Sequence, residues 1–206
     1  MINPSERKDV KRLPLWIPDR VGVVLKTVSA KEPIDLSSEK VLDRYFGSRA
    51  EIQDVSSIVA AVRNPLFMGL YGSRANGERP PLFPTVRDFD HYYANVSGIN
   101  AFDEYFEARG ISLSDYYEAR RYLKNGEFNQ RYRDGVTYSK PIVDLLVSDI
   151  DLLIITDREE LESGPQIGRR TNVSLDLNVT SPMSGFDQNP ADYLELGLSQ
   201  AIPLKL

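Results

Sequence analysis

Two aspartates, Asp149 and Asp151, stand one residue apart where the apolar run Leu152-Leu153-Ile154-Ile155 begins. On a strand, residues i and i+2 point to the same face. Their carboxylates then lie roughly 6–7 Å apart at the usual rise per residue, which suits oxygen ligands sharing one or two hard divalent cations. An unbroken aliphatic run reads as a strand covered on both faces. Carboxylates at the tip of such a strand do not help it fold, because like charges repel and unpaired burial costs several kcal/mol. An acidic turn or cap is the competing reading.

A second candidate lies at Gly72-Ser73-Arg74-Ala75-Asn76-Gly77, directly after the short apolar strand expected at residues 66–71. A strand that turns into a helix here presents free backbone N–H groups, an anion site aided by the helix dipole. Gly72 lets a phosphate approach the backbone. Ser73 adds a hydroxyl donor, and Arg74 adds a fixed cation matched to phosphate. The plainer alternative is a turn capped by serine. The same tetrapeptide recurs at Gly47-Ser48-Arg49-Ala50, where it follows a helical pattern and reads as a helix–helix junction. A third carboxylate, Asp176, lies in residues 171–180, where Val173, Leu175, Leu177 and Val179 alternate with polar residues as in a half-buried strand. If that strand pairs with the preceding one, Asp176 approaches Asp149 and Asp151.

The rest of the chain supplies the scaffold for these groups. Residues 13–17 read as extended, the valine-rich stretch 21–28 as a strand, and 31–35 as a loop. Residues 39–46 carry a helical pattern, and 50–63 a clear one, with Ile52, Val55, Val59 and Val62 on one face. A proline-rich loop leads to Arg87-Asp88-Phe89-Asp90-His91-Tyr92-Tyr93, a second Asp-x-Asp. Ser97 or Asn100 caps a helix to about residue 109. Ser112 and Asp115 form a capping box for a helix to about residue 124, stopped by Asn125-Gly126. Residues 116–133 interleave tyrosine with arginine, a composition that stacks bases and holds phosphates; an amphipathic helix with a tyrosine-rich core side explains it as well, and is preferred. A short helical pattern spans 191–198.

The whole chain sets limits. Its 206 residues bury a substantial core. A net charge of −5 argues against a protein that coats nucleic acid. No cysteine is present, which removes thiol chemistry and zinc–thiolate sites and fits a cytoplasmic protein. Residues 1–11 are charged and show no secretory pattern, and no apolar run reaches membrane-spanning length. There is no Gly-Lys-Ser/Thr of a P-loop and no Gly-x-Gly-x-x-Gly. The lone His91 reads as structural.

Taken in order, the Gly-Ser strand end, the strand opening with Asp-x-Asp, and the later strand with one aspartate resemble the nucleotidyltransferase superfamily that includes DNA polymerase beta. "LYGSRANGE" and "SDIDLLIITD" are similar to the minimal nucleotidyltransferases in particular. The resemblance implies an α/β (α+β) fold, a mixed sheet flanked by helices. It implies one domain over residues 1–206, with a largely helical insertion at 79–140 between the two motifs. It implies that Gly72 and Ser73 hold the β- and γ-phosphates of a nucleoside triphosphate, with Arg74 neutralising pyrophosphate. Asp149 and Asp151 would bind two Mg²⁺ ions, and Asp176 one of them while activating the acceptor hydroxyl. The acceptor is a protein, an RNA or a small molecule. The family's two motifs are normally close in sequence, so Asp88 and Asp90 are an alternative metal pair; the apolar run after Asp151 favours Asp149 and Asp151. The short C-terminal part calls for a protein partner, a homodimer or the insertion to complete substrate binding. Two other functions stay open: a silent nucleotide- or partner-binding module, such as a toxin–antitoxin component, and an RNA-binding protein using residues 116–133.

Overall fold

The apolar run behind Asp151 forms a strand in the interior of a mixed sheet. The computed structural model of the protein describes residues 19–62, 65–96, 106–107, 109–155, 175–180 and 197–206, with the backbone alone at 95, 96 and 175–180. Among these residues the sheet has five strands: β1 (Ile34–Asp35), β2 (Phe67–Tyr71), β3 (Ile150–Ile155), β4 (Leu175–Thr180) and β5 (Ile202–Lys205). Their spatial order is β1-β5-β2-β3-β4. β2 runs antiparallel to both β3 and β5, whereas β1 pairs with β5 and β3 with β4 in parallel. The architecture is therefore mixed α/β, as expected. No helix among the described residues is long and apolar enough to cross a membrane.

Alternation along β3 divides its side chains between two cores. Ile150, Leu152 and Ile154 pack with Leu70 and with Val55, Ile58 and Val59 of α2 (Arg49–Ala61). Leu153 and Ile155 pack on the other face with Phe67 and with Val21, Leu25 and Val28 of α1 (Asp19–Ser29). Each buried aliphatic side chain contributes about 1.5–3 kcal/mol, so β3 is anchored from both sides, with Asp151 on it and Asp149 directly before it.

The valine-rich stretch 21–28 is helix α1, not a strand. Its buried positions Val21, Leu25 and Val28 recur at helical spacing, while Val23, which a strand would turn inward with Val21, is 64% exposed. Burial against the sheet overrides the weak β-preference of valine. Residues 39–46 make only a 3₁₀ turn at Glu39–Val41. The chain then bends through Asp43 at φ 67°, which brings buried Phe46 back beside Val41. The expected loop at 31–35 contains β1.

Between β2 and β3 the chain is helical: α3 (Gly72–Asn76), α4 (Val86–Val96), α5 (Leu113–Lys124), α6 (Phe128–Arg133) and α7 (Lys140–Leu146). Residues 82–147 build a core of their own, rich in aromatic rings such as Phe83, Phe89, Tyr93 and Phe128. Phe83 meets Phe89 edge-on at 5.4 Å, and Phe128 stacks on Tyr132 at 5.7 Å. The second Asp-x-Asp lies on helix α4. Residues two apart on a helix diverge by about 200°, so Asp88 and Asp90 cannot form a metal pair. Asp88 instead accepts from the Thr85 hydroxyl, and Asp90 accepts a forked pair from Arg120 plus the Tyr116 hydroxyl. The expected extended piece at 13–17 and the helix cap at Ser97 or Asn100 lie outside the described residues.

Helix α5 begins with the expected capping box: Ser112 accepts from the Asp115 N–H, and the Asp115 carboxylate accepts from the Ser112 N–H. These bonds hold the Asp115 carboxyl below its ordinary 3.8, the Ser112 side-chain bond acting most strongly. A lowered folded-state value means stabilisation that is present above the unfolded value and lost as pH falls through the folded one. Ser112→Ala should cost about 1 kcal/mol at pH 7. In urea unfolding from pH 7 to pH 2.5, the gap from wild type should narrow as pH falls below 3.8.

Candidate functional site

Two strand ends carry the site. β2 delivers the chain to Tyr71, which pairs in register with Asp151 at the start of β3. Gly72 follows at φ 73°, in the left-handed region that favours glycine. A Cβ at this position would overlap the Asp151 carboxylate, whose Oδ2 and Cγ are its nearest neighbours. The space that the sequence assigned to a phosphate is therefore partly filled by Asp151. Gly72 is required because the carboxylate folds over it.

Ser73 reaches the other strand end directly. Its hydroxyl lies 3.3 Å from the Ser148 hydroxyl, across 75 positions of sequence. Ser148 is buried, and its N–H donates to Pro81 O. The next residue, Asp149, is half-buried just before β3. Its carboxylate makes no hydrogen bond or ion pair among the described residues. Burial pushes this carboxyl above its ordinary value; the nearby Arg79 guanidinium pulls it back, and Asp144 adds to the rise. β4 continues the site, since its parallel pairing with β3 sets Asp176 as the register partner of Asp151. Gly72, Ser73, Asp149 and Asp151 thus gather at one end of the sheet, with the backbone of Asp176 alongside.

The structure holds Arg74 apart from this group. Its side chain is fully buried and ion-paired to Glu51, itself fully buried, at 2.6 Å. It also donates to the carbonyls of Tyr45 and Ser148. Pointing inward, the guanidinium is not presented to a phosphate, so the neutralising role expected of it has no geometric basis. Helix α3 has five residues, too few to build a developed dipole. Among the described residues, an anion at this turn would meet Gly72 and Ser73.

Glu51 was missed by sequence reasoning, although Ser48-x-x-Glu51 is a helix-start signature. Ser48 caps α2 by accepting from the Glu51 N–H, and the Glu51 carboxylate accepts from the Gly47 N–H at 2.9 Å. The first copy of the repeated tetrapeptide therefore joins the 3₁₀ turn to α2, and the residue that follows it, Glu51, neutralises the arginine of the second copy.

The tyrosine–arginine stretch divides as an amphipathic core helix does. Tyr116, Tyr122 and Tyr132 pack in or against the core of residues 82–147. Arg120, Arg121, Arg131 and Arg133 pair with Asp90, Glu118, Glu127 and Asp43. These four arginines are thus each paired with a carboxylate, while Lys124 and Tyr117 stay exposed. Among the described residues, no three His, Cys, Asp or Glu side chains gather as a metal group; the side chain of Asp176 lies outside that set. Two surface clefts, of about 400 and 210 Å³, are lined by none of the six candidate residues. His91 is exposed on α4.

Comparison with protein-family models, with curated proteins and with solved structures gave no significant match.

A buried ion pair is costly to break from one side, because the remaining charge is left without its partner. Arg74→Met should lower the unfolding free energy by about 3–5 kcal/mol, and the double variant Glu51→Gln/Arg74→Met by clearly less than the sum of the two single changes. Urea unfolding of the four proteins measures both quantities.

Proposed function

We propose that the protein is a Mg²⁺-dependent nucleotidyltransferase that moves a nucleoside monophosphate from an NTP to a hydroxyl acceptor. The observation that carries this reading is the meeting of two motifs distant in sequence: the Asp151 carboxylate over Gly72, and Ser73 against the residue preceding Asp149. The donor set fits a hard divalent cation. Asp149 is a half-buried carboxylate without an ion-pair partner among the described residues, and Asp151 is the second residue of the strand that follows it. Asp176 stands at the paired position of the neighbouring strand. Oxygen ligands of this kind suit Mg²⁺.

In this reading Asp149, Asp151 and Asp176 would hold the cations, which when bound would supply positive charge to neutralise the triphosphate and favour in-line displacement. Ser73 donates its hydroxyl to a phosphate oxygen. Asp176 accepts the proton of the acceptor hydroxyl as that oxygen forms its bond to the α-phosphorus. The bond from the α-phosphorus to the bridging oxygen breaks, and pyrophosphate leaves with the electron pair. The rigid β2–β3 pairing contributes positioning, the main resource of phosphoryl-transfer enzymes.

One observation favours a second reading. With Arg74 turned inward, the site lacks the cation first expected for pyrophosphate, and a module that binds nucleotide without turning it over fits that loss.

The protein should release pyrophosphate from α-³²P-labelled NTPs with Mg²⁺ and label an acceptor. Asp149→Asn and Asp151→Asn should each lower the rate by more than about 100-fold, because even residues that only support metal ligands cost 10–100-fold. Asp149→Asn should not lower the unfolding temperature, since it removes a half-buried charge that burial disfavours. Nucleotide binding by calorimetry without any product would favour the second reading, and neither binding nor product would remove the first.

A further inference from the structure

The segment entering Asp149 is held by two buried arginines that reach it from the Gly-Ser side. Arg74 donates to the Ser148 carbonyl. Arg79, 5% exposed, donates from one nitrogen to the carbonyls of Asp144, Leu145 and Val147 at 3.1–3.3 Å. Consecutive carbonyls, Val147 and Ser148, are thus taken by different guanidinium groups. The backbone of Arg79 closes the arrangement, because its N–H donates to Ser73 O at 3.2 Å. One residue therefore bonds to Ser73 by its main chain and to the approach of Asp149 by its side chain.

Arg79 has no carboxylate partner among the described residues. Its charge is met by those carbonyls, by the rings of Phe83 and Tyr92 at 5.4 and 5.1 Å, and by the Tyr93 hydroxyl at 3.4 Å. Its Nε, like that of Arg74, is buried without a partner. Burying a cation against neutral groups is expensive, and a surface loop or a leucine would close this core at lower cost. What the arginines add is a fixed path for residues 144–148.

The helical region enters the same network. The Tyr132 hydroxyl of α6 donates to Glu51 Oε1 at 3.1 Å, and Glu51 Oε2 accepts from Arg74. Tyr93 of α4 donates to the Leu145 carbonyl at 2.9 Å, which Arg79 also contacts. Two tyrosines of the aromatic core thereby touch the two arginines or the groups they hold.

We propose that Arg74 and Arg79 are positioning residues that fix Asp149 and Asp151 relative to Gly72 and Ser73, and that the helical region sets this spacing through Tyr132 and Tyr93. The inference rests on the nucleotidyltransferase reading only for the ligand that the carboxylates take.

Two mild variants test it. Tyr132→Phe removes one hydroxyl and keeps the ring stacked on Phe128. Arg79→Lys keeps the charge but ends one atom short of the guanidinium nitrogen that reaches the three carbonyls. In the full-length protein, amide hydrogen exchange should accelerate at least about tenfold at residues 147–151 in both variants while α1 stays at wild-type rates, since local opening is read segment by segment. Mn²⁺ affinity, followed by electron paramagnetic resonance, should fall about 10–100-fold, the scale for residues that orient metal ligands. Unchanged exchange at 147–151, or the same acceleration everywhere, overturns the inference. Localised acceleration in a protein whose wild type binds no Mn²⁺ upholds the positioning and removes the proposed function instead.

Discussion

The ion pair between Arg74 and Glu51 is the constraint around which the molecule closes. Neither side chain reaches solvent. Taking two charges out of water costs several kcal/mol per ion, recovered only with good geometry and further hydrogen bonds. The further bonds are present: Gly47 and Tyr132 donate to the glutamate, and the arginine donates to Tyr45 and Ser148. Through these contacts α2, α3, α6 and the entrance to β3 meet at one point. Apolar packing holds the layers together, but it is tolerant of small slips. The charged pair fixes which residue faces which.

The arrangement of the carboxylates depends on that meeting point. β3 is a strand with no freedom on either face, and β2 is bonded to it from Phe67 opposite Ile155 to Tyr71 opposite Asp151. The glycine turn comes one residue later, so Asp151 and Gly72 meet as a consequence of register. The half-buried Asp149 makes no hydrogen bond or ion pair among the described residues, and the Arg79 guanidinium offsets part of the cost of its burial. Two buried arginines hold the path that leads into Asp149, and the cation proposed for this end of the sheet would meet its carboxylate there.

The parts legible in the sequence were those in which one periodicity prevailed. The run 152–155 announced a strand buried on both faces, and residues 50–63 announced α2, found at Arg49–Ala61. Ser112 and Asp115 marked the start of α5 to the residue. α1 was misread because valine signals strand, whereas packing on the sheet selected the helical spacing of Val21, Leu25 and Val28. β5 gave no signal because Pro203 interrupts it and cannot donate to a ladder; it pairs with Gly69 all the same. At the site, the aspartates and the Gly-Ser turn were legible as features at strand ends, and the structure brings them together. The burial of Arg74 was not, since its partner Glu51 lies on another helix, and no local pattern distinguishes an arginine that meets phosphate from one that meets a buried glutamate. Arg79 was invisible for the same reason: its partners are carbonyls, which every sequence has.

The most direct test is anomalous diffraction from crystals soaked with Mn²⁺ and a non-hydrolysable NTP. A cation peak bounded by Asp149 and Asp151, with the triphosphate against Ser73, is the result this account predicts. Crystals in which nucleotide or manganese binds elsewhere, leaving both carboxylates without a cation, would contradict it.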